Sequence, residues 1–173
     1  VIGKDNVMPW YSRQDFYHFR TITTPYPCIF GRNTYENMQN APLPDRLNIV
    51  CSSKFDNDYK DGVFYASSLE SAIDFVKFAG YWDKLFICGG SAIYKYALEK
   101  DLIDVLYLTK IKDKKLRLQV MSKPDSFCYF PYHLDKMLVE PKWSGSQIFY
   151  DKDVLPAEAG KIKVDFFRYI RVR

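Results

Sequence analysis

The stretch that decides the fold is Pro27-Cys28-Ile29-Phe30-Gly31-Arg32-Asn33-Thr34-Tyr35-Glu36. Its first part is a short apolar run, Cys28-Ile29-Phe30, which predicts a buried strand that ends at Gly31. A helix is predicted to follow from about Thr34 to Gln39. A strand that leads through glycine into a helix favours an α/β fold.

The same order of strand, glycine and helix returns further along the chain. Leu85 to Cys88 predict a buried strand, Gly89-Gly90 a turn, and Ser91 to Leu98 a helix. Other helices are predicted at residues 12–22 and 68–78, and other strands at residues 47–51, 62–65, 103–111, 147–150 and 163–172. After Lys112 the helical periodicity fades. We therefore predict a three-layer fold whose central mixed sheet is mostly parallel, is antiparallel at one edge and carries helices on both faces.

Composition excludes several classes of protein. The chain has 173 residues, of which 47% are apolar and 27% charged, so disorder is not expected. No apolar run approaches the roughly 20 residues that span a bilayer. Val1 to Trp10 lack the basic start and apolar core of a signal peptide. We expect a cytoplasmic protein.

The cysteines give no sign of a metal site. They stand at positions 28, 51, 88 and 128 without a C-x-x-C pair, and the chain has only 2 histidines. Cysteines in apolar runs are usually small core residues, so we expect a reducing compartment and no bound metal. The net charge of +4 suits an anionic ligand, but it is equally common on proteins that bind none.

Three groups of residues, taken in order and at their spacing, resemble the dihydrofolate reductase family from residue 2 to about residue 111. The first is Ile2-Gly3 with Met8-Pro9-Trp10, Asp15-Phe16 and Phe19; the second is Pro27 to Glu36 followed by Pro42-Leu43-Pro44-Asp45-Arg46-Leu47-Asn48-Ile49-Val50; the third is Phe86-Ile87-Cys88-Gly89-Gly90-Ser91-Ala92-Ile93-Tyr94 with Leu106-Tyr107-Leu108-Thr109. The resemblance implies the fold of that family. It also implies an oxidoreductase that uses NADPH to reduce 7,8-dihydrofolate to 5,6,7,8-tetrahydrofolate.

Members of this family have a central strand before the residues that match Ile2-Gly3. This chain starts at Val1. We therefore expect residues 1–173 to form a single dihydrofolate reductase-like domain that lacks its first strand.

Asp15 is the residue on which the implied chemistry depends. By resemblance, its carboxylate binds the amino group and the adjacent ring N–H of the pterin, and it promotes protonation beside the carbon that receives hydride. Thr109 is implied to share its hydrogen-bond network. Trp10, in the loop with Met8 and Pro9, is implied to cover the nicotinamide and exclude water. Residues 12–15 also fit a capping box, in which Asp15 caps a helix; the two roles are compatible.

The resemblance also implies a substrate pocket. Phe19, Met38 and Leu43 would line the slot for the pterin and the aminobenzoyl ring, and Arg46 would clamp the α-carboxylate of the glutamate tail. Cys88 and Tyr94 are implied to complete the pocket beside the nicotinamide. Each apolar residue taken alone also fits an ordinary core position, and Arg46 also fits an ordinary surface charge.

Two strand-to-helix turns are the implied cofactor site, because free N–H groups at a helix start bind phosphate. Ser53 and Lys54, after a predicted strand, could receive a 2′-phosphate, which favours NADPH over NADH, although Ser-Ser-Lys is also an ordinary loop. The Gly89-Gly90 peptide is expected to be cis. The full set of implied cofactor residues is Gly3, Gly31, Arg32, Asn33, Thr34, Ser52, Ser53, Lys54, Gly89, Gly90, Ser91, Ala92, Ile93 and Tyr94.

Residues 110–117 depart from the family pattern because they hold five basic side chains. We interpret them as a solvated hairpin; a nucleic-acid patch is the alternative. Two other functions are alternatives to the reduction of dihydrofolate. One is that of a related reductase that acts on a pyrimidine of riboflavin synthesis, and the other is that of a non-catalytic relative that only binds a partner. Asp15 and Arg46 at their spacing disfavour the pyrimidine reductase, and Asp15, Thr109 and Arg46 disfavour the non-catalytic relative.

The partners implied by the resemblance are small molecules. They are dihydrofolate and antifolates such as methotrexate. We expect no nucleic acid or membrane partner, and we expect a monomer unless the chain is fused to a thymidylate synthase.

Overall fold

The strands of the molecule follow the apolar runs of the sequence. The computed structural model describes residues 1–81, 83–131, 143–150 and 162–172. The strands are β1 (Gly3–Lys4), β2 (Cys28–Gly31), β3 (Asn48–Cys51), β4 (Asp58–Lys60), β5 (Val63–Ala66), β6 (Phe86–Ile87), β7 (Val105–Lys112), β8 (Phe127–Cys128), β9 (Trp143–Ile148) and β10 (Lys163–Arg171).

The described residues also contain helices. They are α1 (Arg13–Thr23), α2 (Arg32–Glu36), α3 (Leu69–Phe78), α4 (Ser91–Glu99) and α5 (Lys114–Ser122), with a single 3₁₀ turn at Pro124–Ser126. Within the described ranges, none of these helices is long and apolar enough to cross a membrane. The chain divides into two compact units, residues 21–97 and residues 1–20 with 98–173, and each is described by itself.

Residues 21–97 are built on a five-stranded sheet with the order β4-β5-β3-β2-β6. The neighbours β5, β3, β2 and β6 run parallel, and only β4 is antiparallel to its neighbour. In this register Gly31 lies opposite Cys51, and Ile29 lies opposite Ile87. The parallel strands therefore end at the same edge of the sheet.

The centre of this sheet is the apolar core of residues 21–97. Ile29, Phe30, Ile49 and Val50 are fully buried, as near-continuous apolar runs in parallel strands require. Helix α3 packs on β3 and β5, and the rings of Phe64 and Phe75 stack with centroids 3.7 Å apart. Burial of these side chains fixes the register of the strands that carry the site.

Residues 1–20 and 98–173 contain antiparallel strands. Strand β10 lies between β7 and β9, and the two-residue strands β1 and β8 pair with each other. Arg171 of β10 forms an ion pair with Asp101 and donates a second hydrogen bond to its carbonyl oxygen at 3.2 Å. The predicted fold class, a mixed α/β protein with a mostly parallel sheet and antiparallel strands, is confirmed.

Two predicted elements were wrong. Helix α2 runs from Arg32 to Glu36, earlier than the predicted residues 34–39, because Gly31 is still extended and the helix starts directly after it. The basic stretch 110–117 is not a hairpin. It contains the end of β7 and the start of α5, and the side chain of Asp113 caps this helix by accepting the Leu116 N–H at 2.7 Å.

The start of α3 offers a test of local stability. Ser68 Oγ accepts the Ser71 N–H, and Ser71 Oγ accepts the Ser68 N–H, each at 3.1 Å. We expect Ser68→Ala to lower the free energy of unfolding by about 1 kcal/mol, because it leaves a helix N–H without its partner. Urea unfolding checks this, with Ser53→Ala in an exposed loop as the control. Equal losses in the two variants would contradict the capping role.

Candidate active site

Three parallel strands deliver the predicted cofactor residues to one edge of the five-stranded sheet. Residues 52–54 follow β3, residues 31–34 follow β2, and residues 89–94 follow β6. Because β3, β2 and β6 are consecutive neighbours, the three segments lie side by side at their carboxyl ends. We call this set the strand-end edge. Ligands of open parallel sheets bind at such edges.

The two glycine turns of the strand-end edge contact each other directly. The Gly31 N–H donates to the Gly89 carbonyl at 2.6 Å. Gly89 has φ +106°, and a Cβ there would lie 3.2 Å from the Tyr94 ring, so any other residue would be strained at this position. A Cβ on Gly90 would lie 3.0 Å from Thr34 Oγ1. The Gly89-Gly90 peptide is cis, as predicted.

Each of the two glycine turns leads directly into a helix. Gly31 precedes α2 without any side-chain cap, and α4 begins at Ser91 directly after the cis peptide. Arg32 lies beside this turn and pairs with Glu36 at 3.5 Å on a half-exposed surface. Such an exposed pair is weak, so the guanidinium can exchange Glu36 for a stronger anion. The strand-end edge therefore combines N–H donors with a cation.

Residues 52–54 complete the strand-end edge at β3. Ser52 is half-buried, and its hydroxyl accepts the Lys54 N–H at 3.2 Å. Ser53 and Lys54 are exposed. Their side chains are therefore accessible to a ligand.

The loop that carries Leu43 and Arg46 is held by a buried amide. The side chain of Asn48, 2% exposed, accepts the Leu43 N–H at 2.9 Å and donates to the carbonyls of Leu43 at 2.8 Å and Arg46 at 2.9 Å. Sequence analysis missed this residue and treated it only as part of a strand. The signal was a single polar side chain in an otherwise apolar run.

Arg46 is itself fixed in position. Its Nε donates to the Pro44 carbonyl at 2.9 Å, and Nη1 donates to the hydroxyl of buried Thr23 at 2.6 Å. These contacts engage Nε and Nη1 and limit the rotation of the guanidinium. A preorganised guanidinium loses little entropy when it binds a carboxylate. Leu43 and Met38 of the same unit are half-buried.

Asp15 lies in the first turn of α1, in the unit of residues 1–20 and 98–173. Ser12 Oγ accepts the Asp15 N–H at 3.1 Å, so the side chain that caps the helix is that of Ser12. The Trp10 indole N–H lies 3.5 Å from Asp15 Oδ2, a long hydrogen bond. Asp15 is half-buried, while Met8 is 45% exposed. The loop of residues 8–10 therefore contacts the carboxylate through Trp10.

Three other predicted residues belong to the same unit. Phe19 is half-buried in α1, Thr109 is half-buried in β7 opposite Phe166, and Gly3 is buried in β1 opposite Cys128. The link between Thr109 and Asp15 stays a prediction.

His18 forms a buried cluster that sequence analysis did not foresee. Its Nδ1 shares a 2.6 Å hydrogen bond with the Tyr150 hydroxyl, and its ring stacks on Phe166 with centroids 4.2 Å apart. Its Nε2 is buried without a hydrogen-bond partner in the described residues. Burial lowers the pKa of His18 from 6.5 to about 4. The cluster therefore requires a neutral imidazole.

Comparison with known proteins agrees with this arrangement. A family model described as dihydrofolate reductase matches residues 1–126. The dihydrofolate reductase of Haemophilus influenzae is 43% identical over 113 residues, which are 65% of this chain and 65% of that protein. The bifunctional dihydrofolate reductase-thymidylate synthase of Daucus carota is 31% identical over 99% of this chain and 32% of its own length. The match therefore spans less than two thirds of either relative.

One solved structure extends the comparison to the fold. It is the dihydrofolate reductase from Enterococcus faecalis complexed with NADP(H) and RAB-propyl, with a TM-score of 0.68 and 26% identity. The similarity covers 100% of this chain and 90% of that chain.

The neutral His18 predicts a specific loss of stability in acid. A group whose pKa is 6.5 when unfolded and about 4 when folded favours the native state fully above pH 6.5. We expect the free energy of unfolding to fall as the pH drops from 6.5 toward 4, by about 3 kcal/mol. Unfolding of the wild type and of His18→Gln is compared across this range. The variant also loses ring contacts, but these lower its stability equally at every pH, so the difference in slope between the two profiles reports the titration. Parallel pH profiles would refute it.

Proposed function

Because the chain belongs to the dihydrofolate reductase family, we propose that it reduces 7,8-dihydrofolate to 5,6,7,8-tetrahydrofolate with NADPH. The observation that carries this proposal is the half-buried carboxylate of Asp15, which the Trp10 indole contacts. The same activity belongs by name to the relatives and to the structural neighbour.

Asp15 is proposed to bind and orient the pterin. Two oxygens of one carboxylate match an amino group and a ring N–H that point the same way, and both hydrogen bonds are charge-assisted. Reduction adds hydride to one carbon and a proton to the neighbouring nitrogen. A carboxylate bound at the other side of the pyrimidine ring makes that nitrogen more basic, so Asp15 acts as the catalytic residue. Thr109 is proposed to extend its hydrogen-bond network.

The loop of residues 8–10 is proposed to exclude water. Trp10 contacts Asp15, and Met8 in the same loop is 45% exposed. A surface loop of this kind can close over a bound ring system. Exclusion of water strengthens the interaction of Asp15 with the pterin.

The strand-end edge is proposed to hold NADPH, which supplies the hydride when bound. Glycine at positions 31, 89 and 90 allows close approach to backbone, because a Cβ on Gly90 would already meet Thr34 Oγ1 at 3.0 Å. The backbone of residues 31–34 and 89–93 would receive the pyrophosphate, with Arg32 as the cation. Ser53 and Lys54 would receive the 2′-phosphate, and Tyr94 and Gly3 would lie near the nicotinamide. The residues present therefore fit the group.

The substrate is proposed to contact a set of half-buried apolar side chains. They are Phe19, Met38, Leu43, Cys88 and Tyr94. Arg46 would hold the α-carboxylate of the glutamate tail with the part of its fork that Pro44 and Thr23 leave open. A pyrimidine of riboflavin synthesis lacks this carboxylate, so a fixed arginine here favours folate.

Partners and location follow from the same proposal. We propose one reductase domain over residues 1–173 that binds dihydrofolate and antifolates such as methotrexate. It acts in the cytoplasm, where its four free thiols would stay reduced. We also propose a monomer, except where the chain is fused to thymidylate synthase as in the bifunctional relative.

Asp15→Asn tests the catalytic assignment. We expect the single-turnover rate of hydride transfer at neutral pH to fall roughly 100- to 10,000-fold, because the amide neither carries the charge nor accepts both hydrogen bonds. NADPH affinity, measured by fluorescence titration, should change little. Asp74→Asn, in the exposed face of α3, serves as the control.

A methotrexate titration of the same variants separates the competing functions. Tight binding by the wild type and its loss in Asp15→Asn support a folate enzyme. An unchanged hydride-transfer rate in Asp15→Asn would show that the Asp15 carboxylate has no catalytic role and serves only the start of the helix. Failure of the wild type to bind methotrexate would favour a pyrimidine reductase or a non-catalytic relative.

Arg46→Lys tests the proposed contact with the glutamate tail. Lysine keeps the charge but loses the bidentate fork, so we expect the KM for dihydrofolate to rise roughly 10- to 100-fold with little change in kcat. Arg117→Lys, exposed on α5, should leave both constants unchanged. Equal KM values for Arg46→Lys and the wild type would place the tail elsewhere.

A further inference from the structure

Two cysteines lie on the same face of the five-stranded sheet. Cys28 opens β2 and pairs with Phe86 of β6, and Cys88 follows Phe86 by two residues. Side chains two residues apart on a strand point to the same side. Cys88 also continues the pairing, since its N–H donates to the Ile29 carbonyl at 2.8 Å. The register therefore directs both thiols to one side of the sheet.

The two thiols interact with each other and with a cation. A hydrogen bond from Cys88, together with the nearby Arg46 guanidinium, lowers the pKa of Cys28. Burial, and then the hydrogen bond to Cys28, raises the pKa of Cys88. The Arg46 guanidinium donates to the Thr23 hydroxyl at 2.6 Å. Each thiol also donates to a backbone carbonyl at 3.7 Å, Cys28 to that of Tyr26 and Cys88 to that of Phe86. This is a cluster of two sulfurs, one hydroxyl and one guanidinium in which negative charge is favoured on Cys28.

The other two cysteines lie in different surroundings. Cys51 Sγ donates to the Ser68 carbonyl at 3.5 Å, and Cys128 is exposed on β8. Cys28 is fully buried, and Cys88 is half-buried. Cys51 and Cys128 can therefore serve as control thiols for any reaction of the pair Cys28 and Cys88.

We propose that Cys28 and Cys88 form a clamp for one thiophilic metal or metalloid atom. The register sets their Cα atoms on a diagonal of about 8 Å, from one interstrand spacing and two residue rises. A disulfide needs a separation of roughly 4.4–6.8 Å, so direct oxidation would require the strands to move. A bridging atom adds two bonds to sulfur of about 2.3 Å each and spans the gap. Soft atoms prefer thiolates.

The coordination favours an atom that brings its own third ligand. Within the described ranges no group of three or more His, Cys, Asp or Glu side chains is placed to hold a metal. Trivalent arsenic with one phenyl group needs only two further ligands. Hydrated phenylarsine oxide reacts by replacing two As–O bonds with As–S bonds, and the two thiol protons leave with the two hydroxyl groups as water. Arsenic stays trivalent, so no oxidant is needed.

Phenylarsine oxide is the probe for this clamp. The native protein is treated with it, washed with excess 2-mercaptoethanol, which removes arsenic from single thiols, and examined by intact mass spectrometry. We expect one phenylarsenic group per chain to remain, and to link the peptides that contain Cys28 and Cys88. The double variant Cys51→Ser/Cys128→Ser should retain it equally.

Variants of the pair decide the outcome. Cys28→Ser and Cys88→Ser should each lose the retained group while keeping a cooperative thermal melt; Cys28→Ala replaces Cys28→Ser should that variant fail to fold. Retention of arsenic by a folded Cys28 or Cys88 variant would overturn the clamp. A wild type that retains none, or that links other cysteines, would overturn it as well. The result does not depend on reductase activity.

Discussion

The backbone hydrogen bonds between β2 and β6 are the constraint on which the strand-end edge depends. Phe86 donates to Pro27 and Cys88 donates to Ile29, each at 2.8 Å, and the ladder ends where Gly31 donates to Gly89 at 2.6 Å. A shift by one residue would separate the two glycine turns and would turn Cys88 away from Cys28. The buried side chains of β2 and β3 oppose such a shift, because they would have to leave the core. The proposed cofactor contacts are thus a result of core packing.

Buried polar groups fix the rest of the site. Asn48 satisfies three backbone groups of the loop before β3, and Thr23 receives the Arg46 guanidinium. Such contacts add modest net stability, but leaving any of these partners unpaired would be costly. His18 is the opposite case, since its Nε2 remains unpaired within the described residues. A buried nitrogen without a hydrogen bond lowers the free energy of unfolding, so the packing of His18 against Tyr150 and Phe166 carries this cost.

Local signals in the sequence predicted the elements that have local causes. Ser68 and the apolar period of residues 69–76 predicted α3, and the glycine turns predicted where β2 and β6 end. The Asp113 cap was also a local signal, but five basic side chains nearby obscured it. Contacts between distant residues were not predictable: His18 and Tyr150 are 132 positions apart, and Arg46 and Thr23 are 23 apart. No periodicity in the chain encodes these pairs. The family resemblance supplied the site residues that periodicity could not.

The hydrogen bonds of the Asn48 side chain have a consequence for resistance to inhibitors of the proposed site. This side chain lies inside the protein, yet it sets where the backbone of Leu43 and Arg46 stands. Asn48 Nδ2 donates to the carbonyls of Leu43 and Arg46. Aspartate would place a carboxylate oxygen there, and its repulsion from the two carbonyl oxygens would displace the loop. An inhibitor that binds this loop can therefore select substitutions of Asn48, although the buried side chain does not line the pocket. Screens that sequence only the lining of the pocket would miss such an allele.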